Sequence, residues 1–367
     1  MRRRPMSILK IPLLSRSEFL GLIGSPLIGA APSRARAIER GLRFIYQTAS
    51  IENNFEKHGS DYLWCFYSIA TTSKDPSLRE LAWSMGRERG NVWHEKQSGI
   101  PIDAAADDVA DIAFGAYALQ QLGTPDEALK ERVRQAAGRF SAVDFLSFDP
   151  AREPPPADLP YVCEQCKLRN PRGADRCRRC GKPLKIRNRY DLWDDALITT
   201  YTGDCYGVRL GARYADVVKW APAMRPYPPR SNGSVQDFYD TLYSITHLIY
   251  TLNGYSMYRL SPEWLPDEFE YLKTNLKQAV KLHDPETMGE FMDTLLSFGM
   301  TEADPLIRTG VNFLMKTQNA DGSWGNPRDR DIYNRYHSTW TAIDGLREYQ
   351  WHGERLSFPE LADALKR

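Results

Sequence analysis

The segment Gln318-Asn319-Ala320-Asp321-Gly322-Ser323-Trp324-Gly325 constrains the fold more than any other stretch of this chain. A helical pattern ends at Gln318, Asp-Gly supplies a turn, Trp324 offers an aromatic plug, and a second apolar pattern follows through Tyr336-His337-Ser338-Thr339-Trp340. This is the joint of an αα-hairpin, which lays two helices side by side. Helical periodicity dominates the rest of the chain and strand alternation is scarce. The pattern predicts outer helices over 38–50, 76–94, 126–140, 205–220, 266–283 and 304–317. Inner helices are predicted over 61–72, 107–122, 189–202, 236–253, 285–299 and 336–350. Asp75-Pro76, Pro125-Asp126, Pro266-Asp267 and Asp304-Pro305 mark helix starts.

The inner segments are apolar on most sides, as in Ile112-Ala113-Phe114-Gly115-Ala116-Tyr117-Ala118-Leu119, whereas outer ones such as 126–140 are amphipathic and charged. A helix that is apolar nearly all round is buried. The expected class is therefore all-α, six hairpins closing an (α/α)6 toroid. The hairpins divide into a first part, 38–150, and a second part, 188–367, with a Pro-rich linker and cysteine module at 151–187 between them.

In that module Cys163-x2-Cys166 and Cys177-x2-Cys180 can aim four thiolates at one tetrahedral zinc, with no position left for catalysis. The segment 161–184 resembles a zinc ribbon, and two disulfides or an iron–sulfur site are the competing readings. Residues 161–190 carry a net +8 and residues 1–37 a net +6, against −13 for the remainder of a chain whose total is +1. The cluster Arg169, Arg172, Arg176, Arg178, Arg179, Lys182, Lys185 and Arg187 predicts docking on a protein or other anionic partner. Interleaved aromatics for base stacking are missing, which argues against nucleic acid. Residues 1–37 read as an export signal: a basic start, an apolar run from Phe19 to Pro32, and Ala35-Arg36-Ala37 as a cleavage pattern. Ser15-Arg16-Ser17-Glu18-Phe19-Leu20 is similar to a twin-arginine signal with Ser17 in place of the second arginine, and the alternative location is cytoplasmic. No segment is long and apolar enough to predict a span in the mature chain.

If the inner helices run the same way, their first turns bring Asp61, Asp111, Asp191, Asp240, Glu290 and His337 to one mouth. Acids also cap free N–H groups at helix starts, so each has a structural explanation as well. Deeper on the same faces lie Cys65, Asp195, His247 and Asp293.

The Gln318–Trp340 segment resembles the Gln-Trp repeat of the terpenoid cyclases and protein prenyltransferase β subunits. That resemblance implies a helical toroid with inner-helix N-termini at a central cavity. Tyr336-His337 is similar to the site where prenyltransferases place a zinc-binding histidine, which implies a second metal near His337 and its carboxylate neighbours. Asp191-Leu192-Trp193-Asp194-Asp195-Ala196 is similar to the Asp-x-Asp-Asp-Thr-Ala acid motif of class II cyclases, with Leu192 where the first Asp stands. The resemblance implies Asp194 as the acid and Trp64, Tyr62, Trp193, Tyr190, Tyr239, Tyr336 and Trp340 as a cation-stabilising lining. The expected catalytic set is Asp191, Asp194, Asp195, Asp240, Glu290 and His337, acting on a small apolar or isoprenoid-like substrate. An (α/α)6 glycoside hydrolase with two opposed carboxylates, and with Trp93, His94 and Trp264 stacking sugars, is the alternative enzyme. A non-catalytic binding toroid is the third reading.

Overall fold

The computed structural model describes residues 33–365 apart from 98, 102, 158–160, 164, 167, 172, 173, 175, 185, 186 and 230–234. Residues 1–32, which hold most of the expected export signal, lie outside the described residues. The helices are α1 (Arg34–Ala49), α2 (Glu52–Thr72), α3 (Pro76–Lys96), α4 (Ala106–Gln121), α5 (Glu127–Ala137), α6 (Ala142–Leu146), α7 (Arg189–Tyr206) and α8 (Tyr214–Val218). They continue as α9 (Ala221–Met224), α10 (Val235–Leu252), α11 (Pro266–Leu282), α12 (Pro285–Ser297), α13 (Pro305–Thr317), α14 (Ile332–Leu346) and α15 (Ala362–Leu365). The described strands are β1 (Tyr161–Val162) and β2 (Arg169–Asn170), an antiparallel pair in the cysteine module. No helix among the described residues is long and apolar enough to cross a membrane.

Local chemistry sets most boundaries. Asp75 caps α3, Asp284 caps α12 and Asp304 caps α13, each with a carboxylate accepting first-turn N–H groups and a proline behind it. Two expectations shift. The predicted outer helix 205–220 is absent: α7 runs on to Tyr206 and stops at Gly207, whose φ of 74° is left-handed, and the short α8 and α9 follow. The last inner helix starts at Ile332 because Asp331, not Tyr336, takes the cap, so His337 stands one turn deeper than expected.

The buried helices contact one another in succession: α2 with α4, α4 with α7, α7 with α10, α10 with α12, α12 with α14, and α14 with α2. Side-chain bonds near their starts show like ends standing level. Ser60 donates to Asp111 between α2 and α4 (3.2 Å), and Asn188 at the start of α7 donates to Asp240 of α10 (2.7 Å). Tyr239 of α10 donates to Asp284 before α12 (2.8 Å), Ser338 of α14 to Glu286 of α12 (3.1 Å), and Tyr336 of α14 to Asp61 of α2 (2.7 Å).

The Gln318–Gly325 joint fastens α13 and α14 to α1. The Gln318 amide donates to Ala37 O (2.7 Å) and Gly322 O (3.0 Å), and the Arg40 guanidinium returns bonds to Gln318 (3.2 Å) and Ala320 O (2.7 Å). Trp324 is fully buried and donates its indole N–H to Leu314 O (2.8 Å). Ala35, Arg36 and Ala37, the expected cleavage pattern, form the first turn of α1, and Ala37 is buried there.

Candidate active site and cysteine centre

The six mutually packed helices converge on one cavity with an empty volume of ≈ 600 Å³, part of it open to solvent. Each contributes to the wall: Asp61 and Ser68 from α2, Phe114 from α4, Ile198 from α7, His247 and Tyr250 from α10, Glu290 and Asp293 from α12, and His337, Trp340, Thr341 and Asp344 from α14. Tyr255, Ser256 and Arg347 complete it. Asp61 also lines a wider polar cavity of ≈ 1510 Å³ formed by the starts of α2, α4 and α14, with Lys57, His58, Asp107, Asp111 and Arg330 among its walls. Asp61 is thus shared by the walls of a broad polar cavity and a narrower chamber.

Two groups of buried ionisable side chains stand at the chamber wall, with Glu286 just behind it. In the first, Glu286 and Glu290 are spaced one helical turn apart on α12 and face His337 of α14, whose Nδ1 is 3.1 Å from Glu286 Oε1. Hydroxyls hold the carboxylates: Tyr243 (3.1 Å) and Ser338 (3.1 Å) donate to Glu286, and Thr246 donates to Glu290 (2.5 Å). In the second, Arg347 donates to Asp344 (2.6 Å) and Thr72 (2.7 Å), while Ser256 donates to Asp293 (2.8 Å). Burial, together with the neighbouring Asp344 and against the pull of Arg347, pushes the Asp293 carboxyl up to about 7. Burial likewise raises Asp344, opposed by Arg347. Ser256 and Tyr255 reach the wall from a turn with φ of 68° and 53°, left-handed values uncommon for such side chains.

The expected catalytic residues divide between places. Glu290 and His337 line the chamber, together with Asp61 of the expected mouth and His247 and Asp293 from the deeper faces. Asp194 is buried 3.1 Å from His247 Nδ1 and does not line the chamber. Asp191 and Asp195 are both bound by Arg187. That arginine therefore belongs to the helical body and not to the basic surface of the cysteine module. Asp240 accepts from Asn188 and from Gln236 (2.5 Å) beside this pair, and burial pushes it up to about 7, with Asp191 adding to the rise and the Gln236 amide opposing it. Of the expected aromatic lining, only Trp340 reaches the chamber; Trp64 stacks behind it on Phe114 at 4.2 Å. Trp93 is buried inside α3 near Gly59 and Gly115, and so cannot stack a sugar, while His94 bonds Asp126 at 2.8 Å.

Sequence reasoning missed Glu286, Asp344 and Arg347. Glu286 had a visible signal, the Glu-x3-Glu spacing on one helical face. Arg347 had none, because its hydroxyl partners Thr72 and Ser73 stand more than 270 positions away in the chain.

The four cysteines form the other centre. Cys163 Sγ is 3.4 Å from Cys180 Sγ and Cys166 Sγ is 3.4 Å from Cys177 Sγ, and every cysteine is unbridged. Ligand bonds of ~2.3 Å on a tetrahedral ion place sulfurs ~3.7 Å apart, so the cluster can hold a metal ion with little adjustment. The Arg179 N–H donates to Cys177 Sγ (3.4 Å), and Cys163, Cys177 and Leu184 form a small core separate from that of the helices. Among the described arginines and lysines of the module, Arg169, Arg176, Arg178, Arg179 and Lys182 are exposed. No family model, curated protein or solved structure matches this chain.

Proposed function

We propose that the chain is an (α/α)6 toroid enzyme that cleaves an acid-labile C–O bond, such as a glycosidic bond, in a small hydroxylated substrate. The observation that carries this reading is the central chamber, into which all six packed helices send side chains and in which carboxyls and histidines dominate the polar wall. The cyclic succession of helix contacts, with like ends level, supports the toroid. Asp61, Glu290, Asp293 and His337 give this wall hydrogen-bonding groups that an isoprenoid chain would not use. A hydroxylated substrate engages them, and Tyr250, Tyr255 and Trp340 offer faces to its ring.

Asp293, protonated up to about pH 7, is the proton donor to the leaving oxygen. Asp61, which lines both cavities, takes the proton of the attacking water as its hydroxyl joins the carbon that the leaving group departs. The four-cysteine module is a zinc ribbon whose ion is structural, and its exposed arginines make it a docking arm for an acidic partner.

The test is a panel of aryl glycosides and oligosaccharides followed by NMR, alongside isoprenyl diphosphates. Turnover of a saccharide is expected, with kcat falling about 10²–10⁴-fold in Asp293→Asn while the thermal midpoint holds or rises. The basic limb of the pH profile should fall near 7, where Asp293 loses its proton. Turnover of the isoprenyl substrates alone would overturn the substrate class, and an unimpaired Asp293→Asn would overturn the assignment of the acid.

A further inference from the structure

We infer that Glu286, Glu290 and His337 bind one divalent metal ion in the chamber wall. The donor atoms of these three residues all lie within 4.8 Å of one another, and the residues are 5%, 1% and 5% exposed. Two carboxylates and an imidazole make a mixed oxygen and nitrogen set suited to manganese or zinc. Adjacent ligands on an ion with bonds of ~2.1 Å stand ~3–3.4 Å apart. The separation of His337 Nδ1 and Glu286 Oε1, 3.1 Å, already has that value.

The surroundings are those of a built ligand set. Glu286 is fixed by Tyr243 and Ser338 and Glu290 by Thr246, all hydroxyl donors that orient the carboxylates. His337 stacks on Tyr333 with ring centroids 5.0 Å apart, which limits its rotation. Glu290 and His337 also line the chamber, so coordination positions not filled by protein open onto the space where a substrate would lie. Such an ion polarises a bound oxygen or lowers the pKa of a bound water. The site goes beyond the glycoside reading, because ion binding is read without any substrate.

Manganese is the discriminating probe, since thiolates select zinc while carboxylates accept manganese. The full chain, with its cysteine module loaded with zinc, is titrated with MnCl2 and free ion is followed by electron paramagnetic resonance; ZnCl2 is titrated separately by calorimetry. One ion per chain beyond the cysteine-bound zinc is expected, together with anomalous density between the three side chains in a soaked crystal. Glu290→Gln, nearly isosteric, and His337→Ala should each weaken binding at least 100-fold, and Thr246→Val about 10–100-fold. Cys177→Ser should leave the manganese affinity unchanged. Failure of both ions to bind, or binding indifferent to Glu290→Gln and His337→Ala, would overturn the inference. In that case the 3.1 Å contact is a charge contact between imidazole and carboxylate with no ion between them. Failure of the saccharide panel with the ion bound would count against the substrate reading alone.

Discussion

Asp240 shows how a single buried carboxyl makes folding depend on pH. Its pKa is raised from 3.8 to about 7, chiefly by burial, so between those values the folded chain holds a proton that the unfolded chain has released. Stability is then greatest below about pH 4 and falls as pH rises toward 7, at about 1.4 kcal/mol per pH unit for one such group. Asp240→Asn keeps the shape and removes the titration. Urea unfolding at several pH values across this window should show a gradient shallower by about that amount; an unchanged gradient would mean that Asp240 is ionised in the native state. The residue was visible in the sequence as an acid near a helix start, but its role was not. The partners that distinguish it from an ordinary first-turn acid, Asn188 and Asp191, stand on another helix, and only the packing of α7 on α10 brings them within reach.

At the scale of elements, the chamber depends on how closely α12 and α14 cross. A methyl group on Gly289 would stand 2.2 Å from Thr341 O and 2.8 Å from Ala342 N, so the two backbones touch there. A methyl group on Gly345 would meet Gly289 Cα and Met292 Cβ, each at 3.0 Å. This contact holds Glu286 and Glu290 against His337. Gly289→Ala should therefore destabilise by at least about 3 kcal/mol, and by more than Gly345→Ala, because its methyl overlaps a backbone oxygen at 2.2 Å whereas that of Gly345 meets its nearest neighbour at 2.9 Å. Chemical denaturation of both variants checks the order; equal and small losses would show that the helices separate easily. The helix starts at Asp75 and Asp304 are read from sequence because a cap and its proline are local. The fourth outer helix was misread because the left-handed Gly207 ends α7 late, and a glycine within an apolar pattern does not announce which side of it the helix lies on.

In the whole molecule the cysteine module and the helical body are separate in their cores, so they should lose structure separately. Cys177→Ser should release one zinc per chain and disorder the module, leaving the thermal midpoint of the helical circular dichroism signal nearly unchanged. A matching loss of helicity would instead make the ion a support of the body. Cysteine spacing made the module legible because two Cys-x2-Cys turns prescribe their own geometry. The chamber was legible only as a level of acids, since its depth depends on six helices closing on one another.

The bonds between Arg40 of α1 and Gln318 join residues 278 positions apart. On a ribosome, where residues emerge at ~5–20 per second, α1 must wait on the order of tens of seconds for the indole that fills the space beside Gly41 to be synthesised. Throughout that interval its apolar face has only part of its final cover, an exposure of the kind that invites aggregation or the grip of a chaperone.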